Sequence, residues 1–249
     1  MTTRKGDWIQ TFTGISFWPL DPRPDEILIQ DIAHALSMQC RFTGHVKYFY
    51  SVAEHSVHVS RVCLPEDALW GLLHDASEAY LADVAGPLKR FMPEYVEAEA
   101  NLQRAFARRF DLSEDEPESV RIADQRVLAA EVRDLLSPMP YKLESTPPAD
   151  LRINPPWSPQ EAKDRFMTRF NELITQRNMK KAQSNPELAD SMRMDWLEAH
   201  GSSLGYDFFA GLQGKPAWYT SGKGAKYKRP RYLTAREAID AAMREVIDE

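Results

Sequence analysis

A chain of 249 residues, 43% hydrophobic and 27% charged, can bury a sizeable core and has the make-up of a globular domain with room for a small appendage. Its net charge of −6 argues against a general nucleic-acid coat or a membrane-surface binder, which usually carry a basic excess, while leaving room for a local basic pocket. No apolar run approaches the ~20 residues that span a bilayer, the first residues hold no segment of signal-peptide type, and two cysteines, Cys40 and Cys63, in helix-like contexts make no disulfide framework, so a cytoplasmic protein without membrane contact is expected.

Residues 1–28 read as irregular, with a short strand pair over 11–18 and a turn-rich link at Asp21-Pro22-Arg23-Pro24. A helix over 31–40 places Ile32, Leu36 and Cys40 on one side, and Arg41-Phe42-Thr43-Gly44-His45 breaks it. The next helix, 51–63, has a stripe of Val52, His55, Val59 and Val62, which points His55 inward. The helix over 68–80 is apolar nearly all round in its first half, as a central element would be. A loop with Gly86-Pro87 fills 82–89.

Helix 93–110, with Pro93 near its start, turns Tyr95, Ala98, Leu102, Ala105 and Phe106 inward. Helix 117–136 carries the stripe Val120, Asp124, Val127, Leu128, Glu131 and Leu135, in which two carboxylates are an anomaly. Residues 137–157 are Pro-rich and irregular. Ser158-Pro159-Gln160-Glu161 is a capping box that opens a helix to about 177, with Ala162, Phe166, Phe170 and Leu173 facing in. Polar residues 180–191 lack periodicity and read as a linker. Aromatics then alternate with Gly and polar residues, which suggests short strands, and a second capping box at Thr234 opens a helix over 235–247. The architecture expected is mostly α: a helical domain over 1–178, a linker over 179–194 and a small α+β appendage over 195–249.

The conflict in this sequence lies within Gly71-Leu72-Leu73-His74-Asp75-Ala76-Ser77-Glu78. Three titratable side chains enter an apolar helix and must have their desolvation compensated. A metal ion beside the helix would compensate an adjacent His and Asp. His55 from the preceding helix and Asp124 from a later one supply two further inward ligands. The resulting mixture of two imidazoles and two carboxylates suits Zn, Mn, Co, Ni or Fe better than Ca or a thiolate-bound metal. Glu78, four residues after His74, falls on the same helical face and can reach a metal-bound water without being a ligand. Each residue alone also has a plainer reading: a hydrogen-bonded core His, a satisfied His-Asp pair, an internal salt bridge, a surface carboxylate. A shared site explains them together, because each unpaired burial costs several kcal/mol.

Glu54-His55-Ser56, His74-Asp75-Ala76-Ser77-Glu78, Asp83 with Pro87-Leu88-Lys89, and Asp124 resemble the HD-domain phosphohydrolases over roughly residues 10–178. The closer similarity is to bacterial 5′-deoxynucleotidases and phage deoxyadenosine triphosphate triphosphohydrolases, and residues 31–42 also resemble HD hydrolases common in phages and prophages. This resemblance implies an HD-domain helical bundle that hydrolyses nucleotide phosphoesters by attack of a metal-bound water on the α-phosphorus. Its substrate would be a deoxynucleoside monophosphate or triphosphate. It implies that His55, His74, Asp75 and Asp124 ligate the metal, that Glu78 positions or deprotonates the water, and that Asp83 assists near the leaving group or sugar. Arg41 and Lys89 would reach phosphate oxygens, and a second ion such as Mg is compatible. Phe42 stands where the deoxynucleotidases carry a Trp against the sugar, and Val84-Ala85-Gly86-Pro87 lacks the Thr that some relatives place on the phosphate. Phe42 and both cations also have structural readings, as core packing, a helix-end charge and a solvated loop lysine.

The family implies a homo-oligomer, a dimer or higher assembly. The other reading is a catalytically idle HD module that binds a nucleotide and signals through residues 195–249. That tail is similar to short phage-encoded proteins of unknown role. Its basic stretch Lys223–Arg231 could contact nucleic acid, but a hairpin tip is the commoner explanation, so nucleic acid is not expected as a partner. His58 could approach the site, His34 reads as structural, and His45 lies in the loop after Arg41.

Overall fold

Helices make up most of the computed structural model, which describes residues 4–138, 146–184, 204–207 and 217–220. Two units divide the chain, Met1–Leu173 and Ile174–Glu249.

The first unit begins with a hairpin of β1 (Ile9–Gln10) and β2 (Ser16–Phe17), in which Ile9 pairs with Phe17 and Gln10 with Ser16. The expected strand pair over 11–18 is thus displaced: residues 11–15 are the turn, closed by Thr11 N–H to Ile15 O and Gly14 N–H to Thr11 O. Gly14 supplies the positive φ of 91° that this turn needs. Buried Phe17 anchors the hairpin against Tyr80, and Asp31 holds its tip by accepting from the Thr13 amide and hydroxyl.

Helices α1 (Ile29–Met38) and α2 (Val52–Val62) follow, the latter capped by the Ser51 hydroxyl, which accepts the Glu54 N–H. Between them an extended segment, Gln39 to Arg41, is laced to Tyr50–Val52 by Arg41 N–H to Tyr50 O and Val52 N–H to Gln39 O. Phe42, Thr43 and Gly44 then turn the chain with φ of 56°, 54° and 79°. Two of the three are not glycine, so the turn stores strain that its surroundings must hold.

The single helix expected over 68–80 does not form. Helix α3 (Ala68–Leu73) stops before His74, and α4 (Glu78–Leu81) restarts after it. Across the break Ala76, Glu78, Ala79 and Tyr80 donate to carbonyls three residues back, which winds the chain more tightly than an α-helix. Asp75 and Ser77 are weak helix formers, and the His74 and Asp75 side chains are engaged in the site described below. Ala82 ends α4 at φ 66° and ψ 158°. A one-turn helix, α5 (Gly86–Lys89), begins with Pro87 in its first turn where a loop was expected.

Helices α6 (Pro93–Phe110) and α7 (Glu118–Leu135) match their expected spans closely. Ala98, Leu102, Ala105 and Phe106 of α6 are buried as the periodicity requires, and Tyr95 is half-buried. Val59 of α2, Trp70 of α3, and Val120, Ala123 and Val127 of α7 form one apolar cluster. These three helices therefore share a core, and their polar exceptions are brought together with it. Helix α8 (Pro159–Ser184) opens as expected, with the Ser158 hydroxyl accepting the Glu161 N–H. It does not end near 177. Residues 179–184, read as linker, continue it, because Lys180, Lys181, Ala182 and Gln183 are good helix formers and no Pro or Gly intervenes before Pro186.

In the second unit, β3 (Leu204–Asp207) and β4 (Ala217–Thr220) pair antiparallel, with Leu204 opposite Thr220 and Asp207 opposite Ala217. The helix expected over 235–247 and the basic stretch at 223–231 lie outside the described residues. Among the described residues, no helix is long and apolar enough to cross a membrane.

Gly71 sits where α3 crosses α2. A Cβ there would stand 2.9 Å from Cys63 Sγ and 3.3 Å from Ser60 Cα. Gly71→Ala, normally favourable in a helix by about 1 kcal/mol, should instead destabilise the protein by about 1–3 kcal/mol in urea unfolding. Adding Cys63→Ala should recover part of the loss.

Candidate metal centre

His55 is fully buried on α2, flanked by the apolar residues that set its stripe. His74 and Asp75 begin the break after α3, and Asp124 projects from α7. His55 Nε2 lies 3.2 Å from His74 Nε2, 3.2 Å from Asp124 Oδ1 and 3.5 Å from Asp75 Oδ2. His74 Nε2 lies 3.2 Å from the same Asp75 oxygen. The ligand atoms of His55, His74 and Asp124 all fall within 4.8 Å of one another. A cation bound at about 2.1 Å would set neighbouring ligand atoms about 3.0 Å apart in octahedral and about 3.4 Å apart in tetrahedral geometry. The edges from His55 and the His74–Asp75 edge, 3.2–3.5 Å, lie close to that range, while His74 and Asp124 are within 4.8 Å.

The outer faces of the imidazoles explain why their Nε2 atoms point at one another. His74 Nδ1 is 2.8 Å from Gly71 O, a carbonyl that can only accept, so Nδ1 carries the hydrogen and the neutral ring presents a lone pair at Nε2. His55 Nδ1 is 2.6 Å from Glu131 Oε1, which fixes the same tautomer. With both rings neutral, two imidazole lone pairs and two carboxylate oxygens would therefore converge with no donor among the four. Such a cage needs positive charge, from protons on the rings or from a cation.

The titration of the residues carries that signature. Burial works against an imidazolium at His74, yet the charge and hydrogen bond of Asp75 and the charge of Asp124 push its pKa up to about 9. Burial and the Arg41 charge also work against His55, but Glu131 and Asp124 raise it. Burial would raise Asp75, but His74, His55 and Arg41 outweigh it and hold the carboxylate well below its ordinary range. Asp124 is likewise lowered, chiefly by His55 once burial is overcome. Side-chain exposure rises from 0% at His55 to 37% at Asp124, so solvent reaches the cluster from the α7 side.

Arg41 is brought directly to the cluster. Its Nη1 donates to Asp75 Oδ2 and its Nη2 to Glu131 Oε2, each at 3.3 Å, while its buried Nε has no partner among the described residues. Phe42 stands beside its guanidinium, 5.5 Å from the ring centroid. Glu78 is nine-tenths buried and its Oε2 has no hydrogen-bond partner among the described residues. Burial first, then the charges of Asp75 and Asp83, push its pKa up to about 9. Asp83 is raised by burial against the opposing charge of Arg41. Lys89 goes elsewhere: its ammonium pairs with Glu99 of α6 and lies over Tyr95, near enough to Asp83 to favour that carboxylate's ionisation. His58 faces Glu54 and Trp157, and His34 stacks on Phe12, so neither joins the cluster.

Two further participants are Glu131 and Tyr50. Glu131 is fully buried, accepts from the Tyr50 hydroxyl at 2.8 Å, and is held at about 2: burial would raise it, but Arg41, His55 and Tyr50 prevail. It is the carboxylate that orients His55. Its signal was the second acid on the α7 stripe, seven residues after Asp124 and so two turns along the same face. Glu116, before α7, is raised by burial and feels the charges of His74, Asp124 and Asp75. Nothing in its sequence context marks it.

The fold and the cluster together define a mostly helical protein with a candidate metal centre of His55, His74 and Asp124, with Asp75 against both imidazoles. No family model matches the chain. It is 39% identical over 169 residues to the uncharacterized protein YfdR of Escherichia coli K12, an alignment covering 67% of this chain and 95% of that protein. The chain belongs to the YfdR family. It is also 37% identical over 118 residues to an uncharacterized protein of Rhodobacter capsulatus, covering 43% of this chain and 60% of that one.

Cation binding must displace the His74 proton, so affinity for Mn or Zn should rise with pH up to about 9 and fall on acidification. Calorimetry at pH 7 in two buffers of different ionisation enthalpy should register proton release. Without cation the sign for stability is opposite. The folded pKa of about 9 exceeds the unfolded value, so the His74 contribution is complete below ~6.5 and lost as pH rises through about 9. Glu131→Gln should weaken cation affinity about 10–100-fold in the same titration. It should also lower the melting temperature, since His55 and Arg41 lose a buried counter-charge.

Proposed function

We propose that this protein is a metal-dependent phosphohydrolase of the HD-domain type. Its substrate in this reading is a deoxynucleotide, cleaved as a monophosphate to nucleoside and phosphate or as a triphosphate to nucleoside and triphosphate. The observation that carries the reading is the convergence of His55 Nε2, His74 Nε2, Asp75 Oδ2 and Asp124 Oδ1, with both imidazole tautomers fixed from outside. These residues fit a divalent transition cation such as Mn, Co, Zn, Ni or Fe, and all four would hold it. When bound, such a cation polarises a phosphoryl oxygen and acidifies water.

The chain's own groups supply the rest. Glu78 presents a buried carboxyl oxygen without a hydrogen-bond partner among the described residues, suited to orienting the attacking water and taking its proton. In the cation-free protein it is held protonated by burial, Asp75 and Asp83. Positive charge at the four-ligand site would offset the Asp75 contribution and restore the carboxylate. Arg41 keeps its charge despite burial, because Glu131 and Asp75 oppose the desolvation. It stands ready to pair with charge on the phosphoryl oxygens. Asp83 would act on the leaving-group side. The water oxygen bonds to the α-phosphorus as the bond to the 5′-oxygen breaks, and that oxygen takes up a proton. Phe42, beside Arg41, would contact the sugar in this reading. With Lys89 held by Glu99, a role in holding phosphate requires that pair to open. Two cysteines without a disulfide accord with a cytoplasmic setting.

A screen of nucleoside mono-, di- and triphosphates with Mn, Co, Zn and Mg, scored for phosphate against triphosphate, should find turnover. His74→Ala and Asp124→Ala should abolish it. Glu78→Gln should lower kcat about 10²–10⁴-fold while cation affinity is retained. Tight nucleotide binding with no turnover of any nucleotide would contradict hydrolysis and favour an idle binding module.

A further inference from the structure

We infer that Gln39 is a positioning residue that sets Glu78 and Asp83 against the metal centre, an inference that rests on the phosphohydrolase reading. Its amide spans the loop holding both acids. Nε2 donates to Glu78 O at 2.9 Å, and Oε1 accepts from the Asp83 N–H at 3.2 Å. Both ends of one primary amide are thus used on the two ends of a single turn. The Gln39 backbone is itself fixed, its carbonyl accepting the Val52 N–H at the start of α2.

The loop needs such a clip. Ala82, between the two acids, has φ 66° and ψ 158°, a region that residues other than glycine enter at a cost of ~1–3 kcal/mol and keep only when their surroundings impose it. Besides Gln39, the Tyr95 hydroxyl supports it from α6, donating to Ala82 O at 2.6 Å. Without the amide the strain at Ala82 has a route to relax, and rotation there carries Asp83 away. The same extended segment presents Arg41, two residues on, to Asp75 and Glu131. One short stretch therefore registers the cation-binding and the proton-handling halves of the site. Among the described residues, the Gln39 amide hydrogen-bonds Glu78 and Asp83 and none of the four ligand residues, so removing it should leave cation affinity intact.

The test compares Gln39→Leu, Gln39→Leu with Ala82→Gly, and wild type, all full length and cation-loaded. Gln39→Leu should lower kcat about 10–100-fold with little change in KM and move the acidic limb of the pH–rate profile, while cation affinity stays within about twofold. Glycine adopts the Ala82 conformation without strain, so the double variant should regain part of the lost rate. Wild-type kcat and pH profile in Gln39→Leu would overturn the inference, as would a parallel fall of activity and cation affinity. If wild type turns over no nucleotide, the phosphohydrolase reading fails, and amide hydrogen exchange decides the positioning role alone. Exchange at the Asp83 N–H at least about tenfold faster in Gln39→Leu, with α2 unchanged, supports the clip, and equal exchange overturns it.

Discussion

With both rings neutral, two imidazole lone pairs and two carboxylate oxygens, with four contacts of 3.2–3.5 Å among them and no donor, would be a charge problem that the surrounding structure is arranged to meet. Carboxylates so close to buried rings would be costly in a neutral protein. Arg41 answers part of the problem and shares its charge between Asp75 and Glu131. Glu131 in turn orients His55 and takes the Tyr50 hydroxyl. A cation would complete the balance, and the proton-rich state of the isolated site is its electrostatic substitute.

The helical scaffold supplies the convergence. Helices α2, α3 and α7 meet through Val59, Trp70, Val120, Ala123 and Val127, and each contributes one of the polar exceptions at or near that seam. Gly71 allows α3 to approach α2 closely, and its carbonyl fixes the His74 ring, so the packing contact and the ligand orientation depend on one residue. The break after Leu73 turns His74 and Asp75 toward one point in a way that a regular helix, with successive residues about 100° apart, would hinder.

The four candidate ligands were legible in the sequence because each was a polar residue on or beside an apolar stripe. His55 among valines, His74-Asp75 after Leu72-Leu73, and Asp124 on the α7 stripe all contradict the local pattern, and the structure brings all four together. Arg41 was legible only through family likeness, since a cation after a helix has ordinary explanations. Glu131 was visible as an anomaly but not as a partner of His55, because pairing across 76 residues is set by tertiary packing. Gln39 left no trace, as a half-buried amide at a helix end is unremarkable until its two partners are known. The break at His74–Ser77 was hidden by apolar residues on both sides, which suit one long helix equally well. The end of α8 was misplaced because polar residues without periodicity can still be good helix formers.

The convergence point of these four side chains is where a cation would sit. A crystal structure of protein prepared with Mn or Zn, with anomalous data collected at the metal edge, tests it most directly. The account predicts a single strong anomalous peak within about 2.0–2.3 Å of His55 Nε2, His74 Nε2, Asp75 Oδ2 and Asp124 Oδ1. A fully loaded protein whose peak lies away from these atoms, or one that shows no peak at this point at saturating metal, would contradict it.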